Sequence, residues 1–333
     1  MSPPAPDAPE PAELPTPRFI AAREVPALLS MRECIEAVEK AFLALARDRT
    51  EQPLRTVIPL PDGRSSFLTM PAWLGDPPAL GAKLLTLFPG NHDRGIESHQ
   101  GLIVLFDPDT GSPVLVVDAA PVTAIRTAAA SAVATRALAR DDASILAILG
   151  SGVQARSHLE AMLEVRPIQR VRAWSPTRSH LDRFVEEMQA RFQVPVNAGA
   201  DARTVVEGAD LVCTVTASPT PVLEGGWLAP GCHVNAVGAS TATTRELDSD
   251  AVARSAFFVD RMESALAEAG DWLLARREGA VRDEEPAGEL GSVLAEDRPG
   301  RRTPDQITVF KSLGLAVQDL AAAVLIRDKL GGG

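Results

Sequence analysis

The pattern of apolar and polar residues changes character near residue 143 of this chain. Up to that point, two helical stretches flank a series of short extended apolar segments, whereas beyond it extended segments alternate with helical ones. The first pattern is typical of an α+β unit with a largely antiparallel sheet. The second indicates a parallel sheet with helices on both faces. We therefore expect an α/β protein built from two units.

In the first unit, a helix is predicted to begin after Ser30, because Ser30 and Glu33 form a capping-box pattern ahead of apolar residues at helical spacing. A second helix is predicted from about residue 121 to 138. Five extended segments lie between the helices, at residues 55–60, 65–70, 80–87, 101–106 and 113–118. The Asp-Pro-Asp-Thr-Gly sequence at 107–111 joins the last two as a predicted hairpin.

The second unit has five predicted strands, at residues 145–149, 171–174, 211–214, 234–237 and 256–259. The helical stretches between them cover residues 155–165, 179–192 and 202–206. Residues 276–305 are polar and carry only weak helical signals, 307–314 predict a strand and a turn, and 315–330 predict a last helix.

The first strand of the second unit ends in a glycine turn, Gly150-Ser151-Gly152, and a helical stretch follows. In a dinucleotide-binding unit, the first glycine makes the tight turn. The second lets the backbone approach a pyrophosphate on the helix N-terminus. Ala155 stands where a third small residue packs the helix against the strand. A plain glycine turn is the alternative, and the strand and helix on either side favour cofactor binding over it.

The residues after the next strand bear on the choice of nucleotide. An acidic residue there would accept a hydrogen bond from the ribose of NAD, whereas a basic or hydroxyl cluster favours the extra phosphate of NADP. Here Ser175, Thr177 and Arg178 follow the strand, and no carboxylate precedes Asp182. We therefore favour NADP(H) over NAD(H). In the alternative interpretation, Arg178 is a solvated residue at a helix start.

Three cations of the first unit, Arg55, Lys83 and Arg126, are embedded in mostly apolar surroundings. A buried charge must be paired or must face a cavity. Together, such cations in a cleft would bind a carboxylate; taken singly, each is better explained by a structural ion pair with an Asp or Glu. His99 precedes a predicted strand and could line the same cleft. The other histidines and the cysteines have no metal-ligand spacing, so we expect no metal, and no nucleophile elbow indicates a hydrolase.

Composition narrows the partners and the compartment. The 333 residues are 45% hydrophobic and 23% charged, and the formal net charge is −11, which argues against nucleic acid as a partner. Cys34, Cys213 and Cys232 lie far apart, as in a protein of a reducing compartment. No apolar run is long enough to span a membrane, so we expect a cytoplasmic protein with no membrane partner. Residues 1–17 are rich in proline and are predicted to be a disordered tail.

Several motifs occur together in one order: Met-Pro-Ala at 70–72, Gly-Ala-Lys at 81–83, Ser-His-Gln at 98–100, Arg-Thr-Ala-Ala at 126–129, the glycine turn at 150–155, Val-Asn-Ala-Val-Gly at 234–238, Arg-Glu-Leu-Asp at 245–248, Gly-Asp at 270–271 and Val-Phe-Lys-Ser-Leu-Gly at 309–314. In these motifs the chain, from about residue 19 onward, resembles the ornithine cyclodeaminase/mu-crystallin family.

The resemblance implies a Rossmann NAD(P)-binding domain, residues 126–311, inserted in an α+β substrate-binding and dimerisation domain, residues 18–125 plus 312–333. It also implies a homodimer, and it places Arg55, Lys83 and Arg126 around the carboxylate of a small amino- or imino-acid substrate, in catalytic and substrate-binding positions. On this basis we expect the cofactor to contact Thr127, Gly150, Gly152, Val153, Gln154, Ser175, Thr177, Arg178, Thr214, Thr216, Val237 and Ser312.

The resemblance also separates activities. Cyclodeaminating members carry an Asp where this chain has Ser240 and a Glu where it has Leu68, so both positions argue against ornithine cyclodeamination. Ser240, His99 and Glu263, the last matching a ligand-cleft acid, resemble the mu-crystallin branch and are expected to bind substrate. We expect an NAD(P)H-dependent reductase of a small α-imino acid, or a related amino-acid dehydrogenase. The alternatives are an ornithine or lysine cyclodeaminase with bound NAD, and a non-catalytic NADPH-dependent ligand-binding protein.

Overall fold

The computed structural model describes residues 16–94, 96–282 and 285–331, so most of the predicted tail at 1–17 lies outside the described residues. The described chain forms two β-sheets, one of seven strands and mostly antiparallel, the other of eight parallel strands. The predicted fold class is confirmed: a Rossmann-type α/β unit is inserted in an α+β unit.

The α+β unit begins with β1, α1 and α2 and continues through an antiparallel sheet. Its elements are β1 (Arg18–Ile20), α1 (Val25–Leu28), α2 (Met31–Ala46), β2 (Thr50–Glu51), β3 (Thr56–Pro59), β4 (Ser66–Gly75), β5 (Pro78–Leu87), β6 (His99–Phe106), β7 (Pro113–Asp118) and α3 (Ala119–Leu138). The sheet order is β1-β7-β6-β5-β4-β2, with β3 paired to β4, and β6 and β7 form the predicted hairpin. The predicted capping box of α2 is present, with both Ser30 and Glu33 side chains bonded to backbone N–H groups.

The Rossmann-type unit runs from β8 to β15. Its elements are β8 (Ile145–Leu149), α4 (Val153–Val165), β9 (Arg170–Trp174), α5 (Arg178–Arg191), β10 (Val196–Ala198), α6 (Ala202–Val206), β11 (Leu211–Thr214), β12 (His233–Ala236), α7 (Ser249–Ala253), β13 (Ser255–Val259), α8 (Met262–Glu268), α9 (Gly270–Arg277), β14 (Gly288–Glu289), α10 (Leu290–Leu294) and β15 (Ile307–Lys311). The strand order is β10-β9-β8-β11-β12-β15-β13-β14. From β8 the successive strands β9 and β10 are added on one side of the sheet, whereas β11 and the later strands are added on the other side. α/β proteins bind ligands at such a switch point, at the carboxyl ends of the strands.

The last helix, α11 (Ala316–Gly331), returns the chain to the first unit. It follows β15 after a turn of only four residues and packs on β4, β5 and β6 and on α2 and α3. Its residues from Ala316 to Val324 are all buried, including Gln318 and Asp319. A buried carboxylate requires cationic or hydrogen-bonding partners, and α11 therefore brings such a group directly to the inner face of the antiparallel sheet.

Most predicted elements are present within one or two residues of their expected bounds. The sequence patterns missed the short helices α7, α8 and α9, and the polar stretch at 276–305 contains the end of α9, β14 and α10. These helices have five to eight residues and too few turns to show an apolar periodicity. A domain boundary at residue 126 falls inside α3, a continuous helix. Within the described residues, no helix is long and apolar enough to cross a membrane.

Candidate active site

The glycine turn after β8 lies at the carboxyl edge of the parallel sheet. Gly150 has φ +126°, and its N–H donates to the Trp174 carbonyl at the end of β9. A Cβ on Gly150 would lie 2.8 Å from the Val215 carbonyl oxygen, in the loop after β11. Both the left-handed backbone and the close approach therefore require glycine at this position. The turn closes the crevice at the point where the strand order reverses.

The N-terminus of α4 is built as an anion site. Gly152 is its N-cap and supplies no side-chain hydrogen bond, so the first N–H groups of the helix remain available to a ligand. A Cβ on Gly152 would meet no atom within 4 Å, because the space in front of the helix is open. Val153 is exposed, and the buried Gln154 Oε1 has no partner among the described residues. A pyrophosphate fits this arrangement.

Ser175, Thr177 and Arg178 follow β9 beside this turn. The Ser151 hydroxyl donates to the Ser175 hydroxyl at 3.0 Å, which links the glycine turn to the segment after β9. The Arg178 side chain is 69% exposed and pairs with Asp182 one helical turn away, Nε to Oδ1 at 2.8 Å. This surface pair holds the guanidinium only weakly, since an exposed pair of this kind is worth well below 1 kcal/mol.

On the other side of the crevice, Glu246 ties together the loops that follow β11 and β12. Its carboxylate accepts hydrogen bonds from the Thr214 hydroxyl, from the hydroxyl and N–H of Thr216, and from the Gly238 N–H, at 2.6–2.8 Å. Burial raises the pKa of Glu246, while Lys311 lowers it. Four donors on one buried carboxylate hold both loops in a single arrangement.

A buried ion pair lies behind Glu246. Lys311, the last residue of β15, has its Nζ 2.9 Å from Asp271 Oδ2, and neither side chain has any exposed surface. The other Asp271 oxygen accepts from the N–H groups of Glu246 and Leu247. Ser312 follows Lys311, and its buried hydroxyl has no partner among the described residues. Val237, half-buried after β12, donates its N–H to the Thr214 carbonyl.

The carboxyl edge of β15 leads directly into the cation cluster. On the antiparallel sheet, Lys83 of β5 is buried and its Nζ lies 3.3 Å from Asp319 Oδ1. Arg126 of α3 is also buried; its Nε lies 2.8 Å from the same oxygen, and its Nη1 donates to Gln318 Oε1 at 2.9 Å. Burial lowers the pKa of Lys83 to about 8, with Arg126 acting in the same direction and Asp319 opposing both.

The turn between β15 and α11 holds the third cation. Arg55 Nη2 donates to the Leu313 carbonyl at 2.6 Å and to the Gly314 carbonyl at 3.3 Å, and lies 3.0 Å from Glu268 Oε2. Behind the turn, the buried Asp260 Oδ2 accepts both N–H groups of Leu313 and Gly314 at 2.7 Å. Burial raises the pKa of Asp260 and the pKa of Glu268. Arg55 opposes this effect at Glu268, because its positive charge favours the ionised carboxylate.

Gly314 joins the two halves of the cluster. Its φ is +84°, and a Cβ there would lie 2.8 Å from Arg126 Nη1. The three predicted cations, Arg55, Lys83 and Arg126, therefore converge around one turn and one helix. A small cleft opens beside them, lined by Gln52, Pro53, Leu54, Arg55, Met70, Arg261, Ser264, Gly314, Leu315 and Ala316. Clustered cations of this kind can bind a carboxylate.

This geometry can be set beside known proteins. The sequence model of the ornithine cyclodeaminase/mu-crystallin family matches residues 16–333. The chain belongs to this family.

Relatives of the family cover nearly the whole chain. Ketimine reductase mu-crystallin of Mus musculus is 39% identical over 321 residues, which cover 95% of this chain and 98% of that protein. Delta(1)-pyrroline-2-carboxylate reductase of Bacillus cereus is 35% identical over 311 residues, 93% of this chain and 95% of that protein. The solved structure of Thermococcus litoralis Delta(1)-pyrroline-2-carboxylate reductase in complex with NADH and L-proline has a TM-score of 0.92 and 37% identity, covering 94% of this chain and 97% of that chain.

Other residues expected from the family resemblance lie on several different elements. His99 begins β6, with its Nδ1 3.0 Å from the Ser98 hydroxyl. Ser240 lies half-buried in the loop after β12, and Thr127 follows Arg126 on α3. Leu68 lies on β4, opposite Leu85. Substrate contacts for His99 and Ser240, and a cofactor contact for Thr127, stay predictions.

The acid that contacts Arg55 is Glu268, at the end of α8. Glu263, at the start of the same helix, is half exposed and pairs with Arg261 at 2.6 Å instead. Its expected contact with a ligand stays a prediction, while Glu268 was not singled out from the sequence. Both acids lie on a short helix that no periodicity indicated.

Sequence reasoning also missed Asp319, Gln318, Asp260 and Gly314 as parts of the site. A signal existed for the first two, because Gln318 and Asp319 interrupt an otherwise apolar stretch in the last helix. Asp260 directly follows the apolar strand β13, and polar side chains at the ends of parallel strands gather at one edge of the sheet.

Proposed function

We propose that this chain is an NAD(P)H-dependent reductase of small cyclic α-imino acids, such as pyrroline-2-carboxylate or piperideine-2-carboxylate. The observation that carries the proposal is the convergence of Arg55, Lys83 and Arg126 at the carboxyl edge of the Rossmann-type sheet. The relatives named as ketimine and pyrroline-2-carboxylate reductases support the same chemistry.

The charges of the cluster suit one carboxylate. Three cations face Glu268 and Asp319, which gives a net charge of +1 when all five are ionised. The carboxylate of the substrate would lie beside this excess of positive charge. Pro53, Leu54 and Met70 form an apolar side of the cleft beside Arg55, which suits a small ring of hydrocarbon, and no carboxylate lines that cleft to hold a second amine among the described residues.

The chain's own residues would orient the substrate and keep its carbon electrophilic. When bound, a reduced nicotinamide supplies a hydride. Arg55 and Arg126 would hold the carboxylate, and Lys83 would add positive charge near the imine, which favours addition to the imine carbon. The cyclic imine enters protonated at nitrogen, so that hydride addition yields the neutral secondary amine without a further reactant.

Purified protein should oxidise NADPH or NADH in the presence of pyrroline-2-carboxylate or piperideine-2-carboxylate, measured by the loss of absorbance of the reduced nucleotide. Arg126→Lys should raise KM for the imine, because lysine cannot keep the hydrogen bonds to Asp319 and Gln318 while it presents a further N–H group to the carboxylate. Ammonia release from ornithine or lysine without net nucleotide change would instead indicate a cyclodeaminase. Nucleotide binding without turnover of any imine or of pyruvate plus ammonia would indicate a ligand-binding protein.

We propose NADP(H) as the preferred nucleotide, supported by the absence of a carboxylate between Trp174 and Asp182 and by the exposed Arg178. Arg178→Ala should weaken NADPH binding about 10-fold in calorimetry and leave NADH binding unchanged. Arg203→Ala is the matched control, because Arg203 is equally exposed and pairs with Glu207 in the same i,i+4 geometry. Equal affinity of the protein for both nucleotides would refute the preference.

We further propose a homodimer formed through the outer face of the antiparallel sheet. Large apolar side chains are exposed on this face: Phe19, Ile58, Trp73, Leu80 and Leu102. Trp73 and Leu80 are directly paired across β4 and β5, so they form one continuous patch. Leu80→Glu should convert the dimer to a monomer in light scattering, whereas Leu266→Glu, at a similarly exposed residue of α8, should not.

Three buried free thiols support a cytoplasmic location.

A further inference from the structure

One buried carboxylate oxygen serves two of the three cations. Asp319 Oδ1 lies 2.8 Å from Arg126 Nε and 3.3 Å from Lys83 Nζ, and Asp319 is 1% exposed. Its other oxygen has no hydrogen-bond partner within the described residues. The Asp319 carboxylate therefore bonds the two cations and no backbone group of the helix that carries it.

The groups that face Lys83 oppose one another. Arg126 on α3 and Arg55 before β3 disfavour a charged Lys83, as does burial, whereas Asp319 on α11 favours it. The neighbouring thiol, Cys34 on α2, has a pKa raised to about 12 by burial and is neutral. Asp319 is thus the one group in this set that stabilises the ammonium form.

Asp319 also acts on the direction of Arg126. The Nε of Arg126 bonds Asp319 and its Nη1 bonds Gln318, the preceding residue of α11, while its Nη2 has no hydrogen-bond partner in the described part of the chain. Two anchors on one helical turn fix the plane of the guanidinium and leave the Nη2 amino group for a ligand. A single anchor would let the plane rotate.

We propose that Asp319 is a positioning residue, which keeps Lys83 protonated and holds Arg126 in the plane that receives the substrate carboxylate. This inference rests on the proposed function, because it assigns Lys83 and Arg126 to the carboxylate of the imino acid. Asp319 does not touch the substrate; it acts through the two cations.

The protonation of Lys83 can be measured without any activity. The chain has four lysines, Lys40, Lys83, Lys311 and Lys329, so protein labelled with 13C at the lysine ε-carbon gives four signals. Lys83→Met identifies the Lys83 signal. In the full-length protein that signal should titrate near pH 8, and in Asp319→Asn its pKa should fall by about one pH unit or more, because the isosteric amide keeps an acceptor but removes the charge.

Asp328→Asn is the matched control, since Asp328 is an exposed aspartate on the same helix and pairs with Arg327. It should leave the Lys83 titration unchanged. An unchanged Lys83 titration in Asp319→Asn would overturn the inference, as would an equal change in Asp328→Asn. Because this readout needs no substrate, it remains decisive even if the protein reduces no imine.

Kinetics then test the consequence. With pyrroline-2-carboxylate, Asp319→Asn should raise KM about 10- to 100-fold, lower kcat less, and move the alkaline limb of the kcat/KM profile to lower pH. Asp319→Glu should restore part of the affinity, because it returns the charge. A uniform loss of kcat with unchanged KM and pH profile would mean that Asp319 has only a structural role.

Discussion

Gly314→Ala is the sharpest test of how the site is held together. The added Cβ combines two effects, a left-handed backbone and a close contact with Arg126. Replacement by alanine would place a Cβ on a backbone with φ +84°, 2.8 Å from Arg126 Nη1. The left-handed backbone alone costs about 1–2 kcal/mol for an L-residue. The contact is shorter than a Cβ tolerates, and Arg126 can retreat only by giving up hydrogen bonds to Gln318 and Asp319.

The two effects can be separated with a second glycine. Gly279 has φ +75° and a Cβ there would meet nothing within 4 Å, so Gly279→Ala carries the backbone cost without the contact. We expect Gly279→Ala to lose about 1–2 kcal/mol of unfolding free energy in urea denaturation and Gly314→Ala to lose more, because it adds the contact with Arg126 to the backbone cost. Only Gly314→Ala should lose affinity for the imino acid, by about 10- to 100-fold in KM, because a misplaced guanidinium forfeits a charged hydrogen bond worth about 1.5–3 kcal/mol.

Nucleotide affinity provides the internal reference. The glycine turn at Gly150 and the N-terminus of α4 are separate from Gly314, so the dissociation constant for NADPH should stay within about twofold of the unsubstituted protein. An unchanged KM for the imine in Gly314→Ala would refute the assignment of Arg126 to the substrate carboxylate. Equal KM changes in Gly314→Ala and Gly279→Ala would refute the role of the contact.

Further predictions concern the buried charges and histidines. Lys311→Met should lower the unfolding free energy by about 3–5 kcal/mol, because it leaves Asp271 charged and unpaired, and Lys311→Met with Asp271→Asn should recover part of the loss; no recovery would contradict the pairing. Burial lowers the pKa of His158 to about 4 and that of His233 to about 3, so the folded protein keeps both rings neutral while the unfolded chain protonates them below about pH 6.5. The two histidines should therefore lower the unfolding free energy by about 2.4 kcal/mol between pH 6 and pH 5 in urea titrations, and His233→Gln should halve their contribution.

The buried ionic groups have a common placement. Glu246, Asp271 and Lys311 lie under loops expected to contact the cofactor, and Asp260 lies behind the turn that holds Arg55. Each buried carboxylate accepts backbone N–H groups from loops at the carboxyl edge of the sheet. Loops held by charged hydrogen bonds are expected to change little on ligand binding, since a charge-assisted bond is roughly twice as strong as a neutral one.

The sequence by itself determined the fold class of the protein and the place where we expect its cofactor. The change from antiparallel to alternating patterns near residue 143 and the glycine turn at Gly150 both rest on local rules: strand periodicity, helix capping and the left-handed backbone that glycine permits. The sequence also indicated Arg55, Lys83 and Arg126, because a charged residue within an apolar stretch can be recognised without knowledge of the fold.

The partners of those cations were decided only by the tertiary structure. Asp319 is 236 residues from Lys83 and 193 from Arg126, and Arg55 meets the Leu313 carbonyl 258 residues away. No local pattern encodes such pairs. They form because α11 follows the parallel sheet and packs on the antiparallel one. The packing buries the carboxylate of Asp319, which is stable only beside cations. The sequence shows which charges are unusual, and the packing of α11 decides which of them meet.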